Sequence, residues 1–238
     1  MKVSAIVSAY YAEKFIKNRL ENLLMQDPIP QIVVIAKSGG VEEKITQEFQ
    51  VDWYSHDVIK LISTQGTPTI YEAWNMGIKA AKGEYIINAN CDDKFYPGAL
   101  AKMANVMDND PNVGVVFSNV FRQHENGKGD HWKRIPDETG ILDNALNIIM
   151  ERCIIGPMPM WRKSLHAEHG YFDEQYRHAG DYEIWMRFVF GGVKFYYINE
   201  SLGIYMNRKD SDEHRYKQQS VMETQMARGD YVERLENL

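Results

Sequence analysis

The chain has 238 residues, of which 44% are hydrophobic and 25% charged, a composition typical of a globular protein with a full hydrophobic core. Its formal net charge of −6 argues against a general nucleic-acid-binding protein, because such proteins need a basic surface. Two cysteines are too few for a disulfide scaffold, which favours a reducing cytoplasm over a secreted location.

The N-terminus does not have the pattern of a signal peptide. Met1 and Lys2 lead straight into a short apolar run that lacks a cleavage site. No stretch of the sequence approaches the roughly 20 apolar residues that a membrane helix needs. We therefore expect a cytoplasmic protein, and we leave open a peripheral contact with the inner face of the membrane.

Strands and helices alternate through the first half of the sequence. Short apolar runs rich in β-branched residues predict buried strands at 3–9, 31–36, 58–63, 84–89 and 113–121. Apolar residues at helical spacing predict helices at 13–26, 71–81 and 98–108, and a weaker helix that ends at Phe49. This alternation predicts an α/β fold with a mostly parallel central sheet flanked by helices. In such sheets the ligand-binding loops lie at the C-terminal ends of the strands.

The second half of the sequence is less regular. A polar stretch at 122–140, with several glycines, predicts a long mobile loop. The segment Gly-Pro-Met-Pro-Met-Trp at 156–161 predicts a rigid apolar turn. A helix is predicted at 181–190 and a strand at 193–198, and the polar C-terminus predicts a helical tail at 211–238.

Two adjacent carboxylates, Asp92 and Asp93, follow the fourth predicted strand, which itself follows a short helix ended by Gly83. Paired acids at the tip of a buried strand are costly unless a cation lies beside them. Hard divalent cations take oxygen ligands and hold phosphates, so the pattern predicts a metal and diphosphate site. The alternative is a turn or N-cap acid before the helix that starts near Gly98.

Four segments with the sequences VSAIVSAY, TIYEAWNMGI, AKGEYIINANCDD and GDYEIWMR lie at 3–10, 69–78, 81–93 and 180–187. In their order and spacing they resemble the inverting glycosyltransferases of family 2, and in particular the bacterial polysaccharide-synthesis members. The resemblance implies the GT-A nucleotide-diphospho-sugar transferase fold. It also implies transfer of a sugar from a UDP-, dTDP- or GDP-linked donor to a glycan or lipid-linked acceptor, with Mn²⁺ or Mg²⁺ as cofactor.

The resemblance implies one domain at 1–210. Its nucleotide-sugar-binding half would be 1–121, its irregular acceptor-side half 122–210, and the polar helical tail at 211–238 would follow. The residues indicate no oligomeric state.

The resemblance assigns Asp181 as the general base that deprotonates the acceptor hydroxyl. A general base must reach that hydroxyl at hydrogen-bond distance. The alternative is a first-turn acid favoured by the helix dipole, and the two roles are compatible. Glu183 is a second candidate, although its spacing directs it to another face of the helix.

The turn after the first strand is implied to bind the nucleoside. Tyr10 would stack on the base, while Ser8 and Ala9 would offer backbone groups to it. Glu13 would bond the ribose or simply start the helix. For Tyr11 we expect a core or rim position.

The remaining donor contacts are implied near the metal motif. Asp92 and Asp93 are the implied metal site: one carboxylate would ligate the ion, and the other would hold the ribose or a metal-bound water. Asn90 would lie beside them in the donor site. Asn75 would reach the donor or be packed within its helix. Lys37 would contact a phosphate or be a solvated surface lysine.

The sequence departs from the family pattern at several of these positions. Asn90 replaces the first Asp of the metal motif, and Gly180 replaces a Glu before the base. Ala36 and Lys37 replace an Asp pair that contacts the base and ribose, which leaves the donor base open. His214 lies where some relatives supply a late metal-binding histidine.

Two other functions remain to be separated from sugar transfer. A non-catalytic GT-A module would bind a nucleotide sugar or glycan without turnover. A sugar nucleotidyltransferase shares the broad fold but normally carries a Gly-rich, Arg-containing loop after the first strand. The turn at 8–12 contains no glycine, which argues against that enzyme.

Overall fold

A mixed sheet with helices on both faces forms the centre of the protein. The computed structural model describes residues 1–52, 57–135, 139–211 and 215–236. Within these ranges the helices are α1 Ile16–Leu24, α2 Val41–Asp52, α3 Ile70–Ala80, α4 Ala99–Asn109, α5 Ala145–Glu151, α6 Leu165–His169, α7 Gly180–Phe190 and α8 Lys217–Glu236. None of these helices has the length and apolarity that crossing a membrane requires.

The described strands join in one sheet of ten. They are β1 Val3–Ala9, β2 Gln31–Lys37, β3 Ile59–Thr64, β4 Tyr85–Asn88, β5 Lys94–Phe95, β6 Val113–His124, β7 Gly129–Trp132, β8 Gly140–Ile141, β9 Met160–Arg162 and β10 Lys194–Asn207. Along the sheet the order is β3-β2-β1-β4-β9-β6-β10-β5, with β7 beside β6 and β8 beside β10. The pairs within β3-β2-β1-β4 are all parallel, which confirms the predicted parallel half.

The predicted rigid turn at 156–161 is wrong at its end. Met160 and Trp161 belong to β9, which runs antiparallel between β4 and β6 and pairs with both. Both side chains are fully buried. A three-residue strand without β-branched residues has no periodicity from which a sequence can reveal it.

The predicted mobile loop at 122–140 is wrong over its first part. Strand β6 continues to His124, and a turn with Gly127 at φ 78° returns the chain along β7. The Arg122 guanidinium binds both carboxylate oxygens of Asp130 across the hairpin, at 3.1 and 2.9 Å. The polar composition therefore belongs to a solvated two-stranded ribbon; positions 136–138 lie outside the described residues.

Two hydrophobic cores lie on opposite faces of the sheet, because successive side chains of a strand point to opposite sides. Ala5 and Val7 of β1 enter the core beneath α1 and α4, whereas Ile6 between them enters the other core. Helices α3, α5, α7 and α8 cover that second core, in which Trp161 and Trp185 pack edge to face at 5.5 Å.

Helix α3 starts at a capping box. The Thr69 hydroxyl accepts the Glu72 backbone N–H at 3.2 Å, and the Glu72 carboxylate accepts the Thr69 N–H at 2.6 Å. This reciprocal pair fixes the first turn of the helix and with it the position of Tyr71. The helix ends at Ala80, so the predicted glycine cap at Gly83 is wrong. Gly83 instead lets the chain approach β1, since a Cβ there would lie 2.7 Å from the Ser4 nitrogen.

The C-terminal helix α8 begins at Lys217, within the tail predicted at 211–238, and it packs against the domain. Ala227 and Tyr231 are buried in the second core, and the Tyr231 ring lies 4.8 Å from that of Phe190 on α7. The helical character of this segment is confirmed. The boundaries at 121 and 210 stay predictions.

We expect His166 to make the folded state sensitive to acid. Its Nε2 accepts the Trp161 indole N–H at 2.8 Å, and burial lowers the pKa of His166 to about 4. Between its ordinary value and about 4, the unfolded chain binds a proton that the folded chain does not bind. The free energy of unfolding should therefore fall, by about 2 kcal/mol from this group, between pH 7 and 4.5.

Urea unfolding at the two pH values, with His166→Gln as comparison, measures this contribution. The pH-dependent loss should be smaller in the variant by about 2 kcal/mol, while the carboxylates titrate alike in both proteins. Equal losses in the two proteins would show that His166 does not carry this sensitivity.

Candidate functional site

The predicted nucleoside-binding turn lies where three parallel strands end together. Ala9, Ala36 and Ser63 are register neighbours at the C-terminal ends of β1, β2 and β3. The Tyr10 hydroxyl is 2.8 Å from the Thr64 hydroxyl, which ties the β1 turn to the end of β3. This edge of the sheet is the one at which open α/β sheets bind ligands.

The aspartate pair lies on the same edge, in the loop between β4 and β5. Asp93 is buried, and its carboxylate accepts the Met206 backbone N–H at 3.0 Å and the Asn90 amide at 3.4 Å. Asp92 is half-buried. Cys91 lies between Asn90 and the aspartate pair, and its thiol donates to the Ser8 carbonyl at 3.5 Å. This loop therefore contacts the turn at the end of β1.

The electrostatics of the pair are those of two acids withdrawn from water. Burial raises the pKa of Asp92 and of Asp93 above their usual range, and for Asp93 the neighbouring charge of Asp92 adds to this effect. Such a pair favours any cation that lies beside it.

The side chain of Arg19 contacts the aspartate loop from helix α1. Arg19 on α1 is fully buried and donates to the Asp93 carbonyl at 3.0 Å, with its guanidinium 4.4 Å above the Phe95 ring. Asn22, one turn later, bonds both the N–H and the carbonyl of Phe95 at 2.9 Å. Helix α1 therefore holds the backbone of the aspartate loop at two points. In the sequence, the position of Arg19 within the apolar stripe of α1 indicates that this arginine has a partner inside the protein.

A second cationic side chain, that of Arg208, lies beside Asp92. It follows the C-terminal end of β10, a strand that was predicted to end at 198. Strand β10 continues to Asn207, pairing with β5 at Gly203 and Ile204 and with β6 up to its end, and Arg208 follows it. The Arg208 Nε lies 3.4 Å from the Asp92 carboxylate and 3.3 Å from that of Asp210. The apolar run at 202–206 was the signal for this extension.

The aspartate pair fits a hard divalent cation. Carboxylate oxygens are preferred ligands of Mg²⁺ and Mn²⁺, which usually take one or two carboxylates and complete their shell with phosphate oxygens and water. Within the described ranges no group of three or more His, Cys, Asp or Glu side chains is arranged to hold a metal. Asp92 and Asp93 would therefore need a phosphate ligand to complete such a site. His214 lies outside the described residues.

Asp181 lies in the first turn of α7, across from α3. Its Oδ1 accepts the Tyr71 hydroxyl at 3.3 Å and the Tyr182 backbone N–H at 2.9 Å. Burial and the charge of Asp181 raise the pKa of Tyr71 well above its usual value, so the phenol stays a neutral donor. Tyr71 is itself held by stacking on Phe172 at 5.7 Å. Two donors thus orient the carboxylate.

Gly180, one of the departures from the family pattern, packs against Tyr71. A Cβ at this position would lie 2.8 Å from the Tyr71 ring. A glutamate side chain therefore does not fit beside Asp181 while Tyr71 occupies this place.

Glu183 lies on another face of α7, as its spacing indicated. It is buried, forms an ion pair with Arg187 and accepts the Tyr231 hydroxyl at 3.1 Å. These contacts give Glu183 a structural place between α7 and α8. Asp181 is thereby the better candidate for a base on this helix.

Asn75 is packed, which is one of the two places expected for it. Its amide nitrogen donates to the Phe172 carbonyl at 2.8 Å and to the Glu174 carboxylate at 2.9 Å, and its oxygen accepts the Phe172 N–H at 3.0 Å. The side chain is buried and joins α3 to the segment before α7. A contact of Asn75 with the donor stays a prediction.

We expect Asn75→Ala to lower stability without changing donor affinity. The substitution removes three hydrogen bonds and leaves the Phe172 N–H buried without an acceptor, which should cost about 2–4 kcal/mol of unfolding free energy. Chemical denaturation and donor titration of the folded variant measure the two effects. Met76→Ala, exposed on the same helix, is the matched control. Weaker donor binding at unchanged stability would restore the donor-contact role.

Four other predicted donor residues lie at this edge of the sheet and differ in exposure. Glu13 and Lys37 are exposed, and Glu13 precedes α1, which begins at Ile16. Ser8 is half-buried and Ala9 is buried at the end of β1. Their roles toward a ligand stay predictions.

Two acids in the first turn of α2 contact the turns that follow β1 and β2. Glu42 accepts the Ala12 backbone N–H at 2.8 Å, and Glu43 accepts the Gly39 N–H at 2.7 Å and the Ser63 hydroxyl. They fix the turns after β1 and β2.

Of the core and rim positions expected for Tyr11, the structure excludes the core. Its side chain is 83% exposed, and its backbone has φ 55°, in the left-handed region that non-glycine residues rarely adopt. Such strain persists where the surroundings impose it, and it is frequent at ligand-binding sites. The structure thus presents an aromatic ring to solvent at the ligand-binding edge.

Comparison with known proteins connects this geometry to a family. Residues 4–170 match the family model described as Glycosyl transferase family 2. A curated relative, the uncharacterized glycosyltransferase YwdF of Bacillus subtilis (strain 168), is 25% identical over 190 residues, which are 79% of this chain and 68% of the relative.

Two solved structures are similar in fold. Staphylococcus aureus TarS 1–349 in complex with UDP-GlcNAc has a TM-score of 0.71 and 20% identity, over 89% of this chain and 60% of TarS 1–349. The mannosyltransferase PcManGT from Pyrobaculum calidifontis, in complex with GDP-Man and Mn²⁺, has a TM-score of 0.67 and 14% identity, over 98% of this chain and 64% of its own. The predicted α/β fold of the GT-A type is confirmed, and this chain spans about three-fifths of these structures.

Proposed function

Because this chain belongs to glycosyltransferase family 2, we propose that it is a metal-dependent, inverting enzyme that moves a sugar from a nucleotide-sugar donor to an acceptor hydroxyl. The acceptor is a glycan or a lipid-linked saccharide of polysaccharide synthesis. The similar structures were solved with UDP-GlcNAc and with GDP-Man and Mn²⁺, which supports a donor of the same chemical class and a divalent cation.

One contact carries the proposal: the hydrogen bond from Tyr71 to Asp181. Tyr71 lies in the first turn of α3, which starts just after β3 ends, on the edge of the sheet that carries Asp92 and Asp93. Through Tyr71 the carboxylate of α7 is oriented at that edge. At this position the Asp181 carboxylate is suited to deprotonate an acceptor hydroxyl that attacks a donor bound at the C-terminal ends of the strands.

The chain's own residues supply the steps of the reaction. Asp181 accepts the proton of the acceptor hydroxyl as its oxygen bonds to the anomeric carbon, and the bond to the diphosphate oxygen breaks on the opposite face. A single displacement of this kind inverts the anomeric configuration. A divalent cation held by Asp92 and Asp93 would neutralise the diphosphate as it leaves. Tyr71 holds the base in place through the step.

Release of nucleoside diphosphate tests the proposal. We expect one or a few members of a panel of UDP-, dTDP- and GDP-sugars to be turned over with Mn²⁺ or Mg²⁺ and not with EDTA. The same donors should raise the thermal midpoint in the presence of the metal, because they bind the folded state. Metal-dependent binding without release in the presence of any acceptor or water would contradict an enzyme and favour a binding module. Pyrophosphate release from a nucleoside triphosphate and a sugar phosphate would instead indicate a nucleotidyltransferase.

A further inference from the structure

The segment that leads into α7 is held by the C-terminal helix. Helix α7 has Ala179 at its N-cap, a residue whose side chain offers no acceptor to the backbone. The Glu223 carboxylate of α8 lies there instead. It accepts the backbone N–H of Arg177 at 3.0 Å, of His178 at 2.7 Å and of Ala179 at 2.9 Å.

Three consecutive N–H groups converging on one carboxylate form a strong contact. Successive backbone amides make a concave site for an anion, and hydrogen bonds to a charged acceptor are worth more than neutral ones. The negative charge also lies at the N-terminal, positive end of α7. Tyr216, just before α8, adds a second contact by stacking on the His178 ring at 5.0 Å.

Helix α8 is itself fixed against α7 and α5, so Glu223 is not a loose side chain. Tyr231 donates to the Glu183 carboxylate at 3.1 Å, and Arg228 donates to the Glu151 carbonyl at 2.8 Å. Ala227, one turn after Glu223, is fully buried. The position of 177–179 is therefore set by a helix more than 40 residues later in the chain.

We infer that Glu223 is a positioning residue for Asp181: it fixes the backbone of 177–179 and so the direction from which the Asp181 carboxylate meets the acceptor. This inference rests on the proposed role of Asp181 as base. Tyr71 on α3 binds the Asp181 carboxylate, and Glu223 on α8 binds the backbone of 177–179, which precedes Asp181. A misplacement of about 1 Å at a reacting group costs about a hundredfold in rate, so both supports matter to catalysis.

Glu223→Gln keeps the shape of the side chain and removes its charge. Asp230→Asn, exposed on the same helix, is the matched control that removes one negative charge elsewhere. In Glu223→Gln we expect the amides of 177–179 to exchange hydrogen about 10- to 100-fold faster, as charged hydrogen bonds weaken. The turnover number for nucleoside diphosphate release should fall about 10- to 100-fold, while donor affinity with metal stays unchanged. Asp230→Asn should match the wild type in each measurement.

Two further variants separate this role from general stability. Glu223→Asp, with a shorter reach to the same amides, should recover part of the lost turnover. In an Asp181→Asn background, Glu223→Gln should lower residual turnover no further. Glu223→Asp supplies the same exchange and turnover readouts if Glu223→Gln does not fold.

The outcomes distinguish this inference from the proposed function. Faster exchange at 177–179 with unchanged turnover would overturn the positioning role, and so would a parallel loss of turnover and donor affinity. Wild-type turnover in Asp181→Asn would overturn the base assignment and this inference with it. An inactive Asp181→Asn beside a fully active Glu223→Gln would overturn the positioning role alone.

Discussion

Asp181→Asn should lower the rate of sugar transfer about 10²- to 10⁴-fold, the range that a positioned general base contributes. The amide keeps the size of the side chain and can still accept the Tyr71 hydroxyl, so the fold around α7 should be preserved. Donor affinity with metal should be unchanged, because the predicted donor contacts lie on the strand ends and in the β4–β5 loop. Steady-state turnover and calorimetric donor titration measure the two quantities.

Glu183→Gln is the comparison for that experiment, because Glu183 is the other acid in the first turn of the same helix. Its carboxylate binds Arg187 and Tyr231 inside the protein, and removing one partner of a buried ion pair should lower stability by about 3 kcal/mol or more. The folded variant should retain its turnover number. Loss of turnover in Glu183→Gln together with wild-type turnover in Asp181→Asn would reverse the assignment of the base.

Asp93→Asn should have opposite effects on binding and on stability. Donor affinity in the presence of Mn²⁺ should fall about 100-fold, since loss of a metal ligand leaves the diphosphate charge poorly compensated. In the metal-free protein the same substitution should leave the thermal midpoint at pH 8 unchanged or raise it. The reason is that burial and the charge of Asp92 disfavour the ionised form of Asp93 in the folded state.

Donor titrations and thermal unfolding of the same preparation test this pair of effects. Asp143→Asn, an exposed acid before α5, is a control that should change neither. A variant that binds donor as tightly as the wild type with Mn²⁺ would show that the cation is held elsewhere. A lower thermal midpoint without metal would show that the charge of Asp93 stabilises the fold.

The parallel half of the sheet was predictable from the sequence because its information is local. Strands β1 to β4 are short runs of apolar, largely β-branched residues, each followed by a turn and a helical pattern. The site candidates Asp92, Asp93 and Asp181 came from motifs of residue type and spacing. All three occur where the sheet and α7 present them at one edge, although their roles rest on the experiments above.

What escaped prediction depends on contacts between distant parts of the chain. Strand β9 is a strand only because β4 and β6 flank it. Arg208 lies beside Asp92 because β10 runs past its predicted end, and Glu223 reaches 177–179 across more than 40 residues. The local periodicity of the sequence does not indicate which distant segments pair with each other. Asn75 shows the converse, since a motif position that suggested a ligand is satisfied by the Phe172 backbone.

The anomeric configuration of the released sugar is the most direct test of metal-dependent, inverting transfer. An α-linked nucleotide sugar that the protein hydrolyses slowly with Mg²⁺, with water as the acceptor, would be followed by proton NMR before the free sugar mutarotates. We expect the β-anomer to appear first, to require Mg²⁺ and to be lost in Asp181→Asn. Appearance of the α-anomer first would contradict a single inverting displacement, and release that is equal with EDTA would contradict the metal site at Asp92 and Asp93.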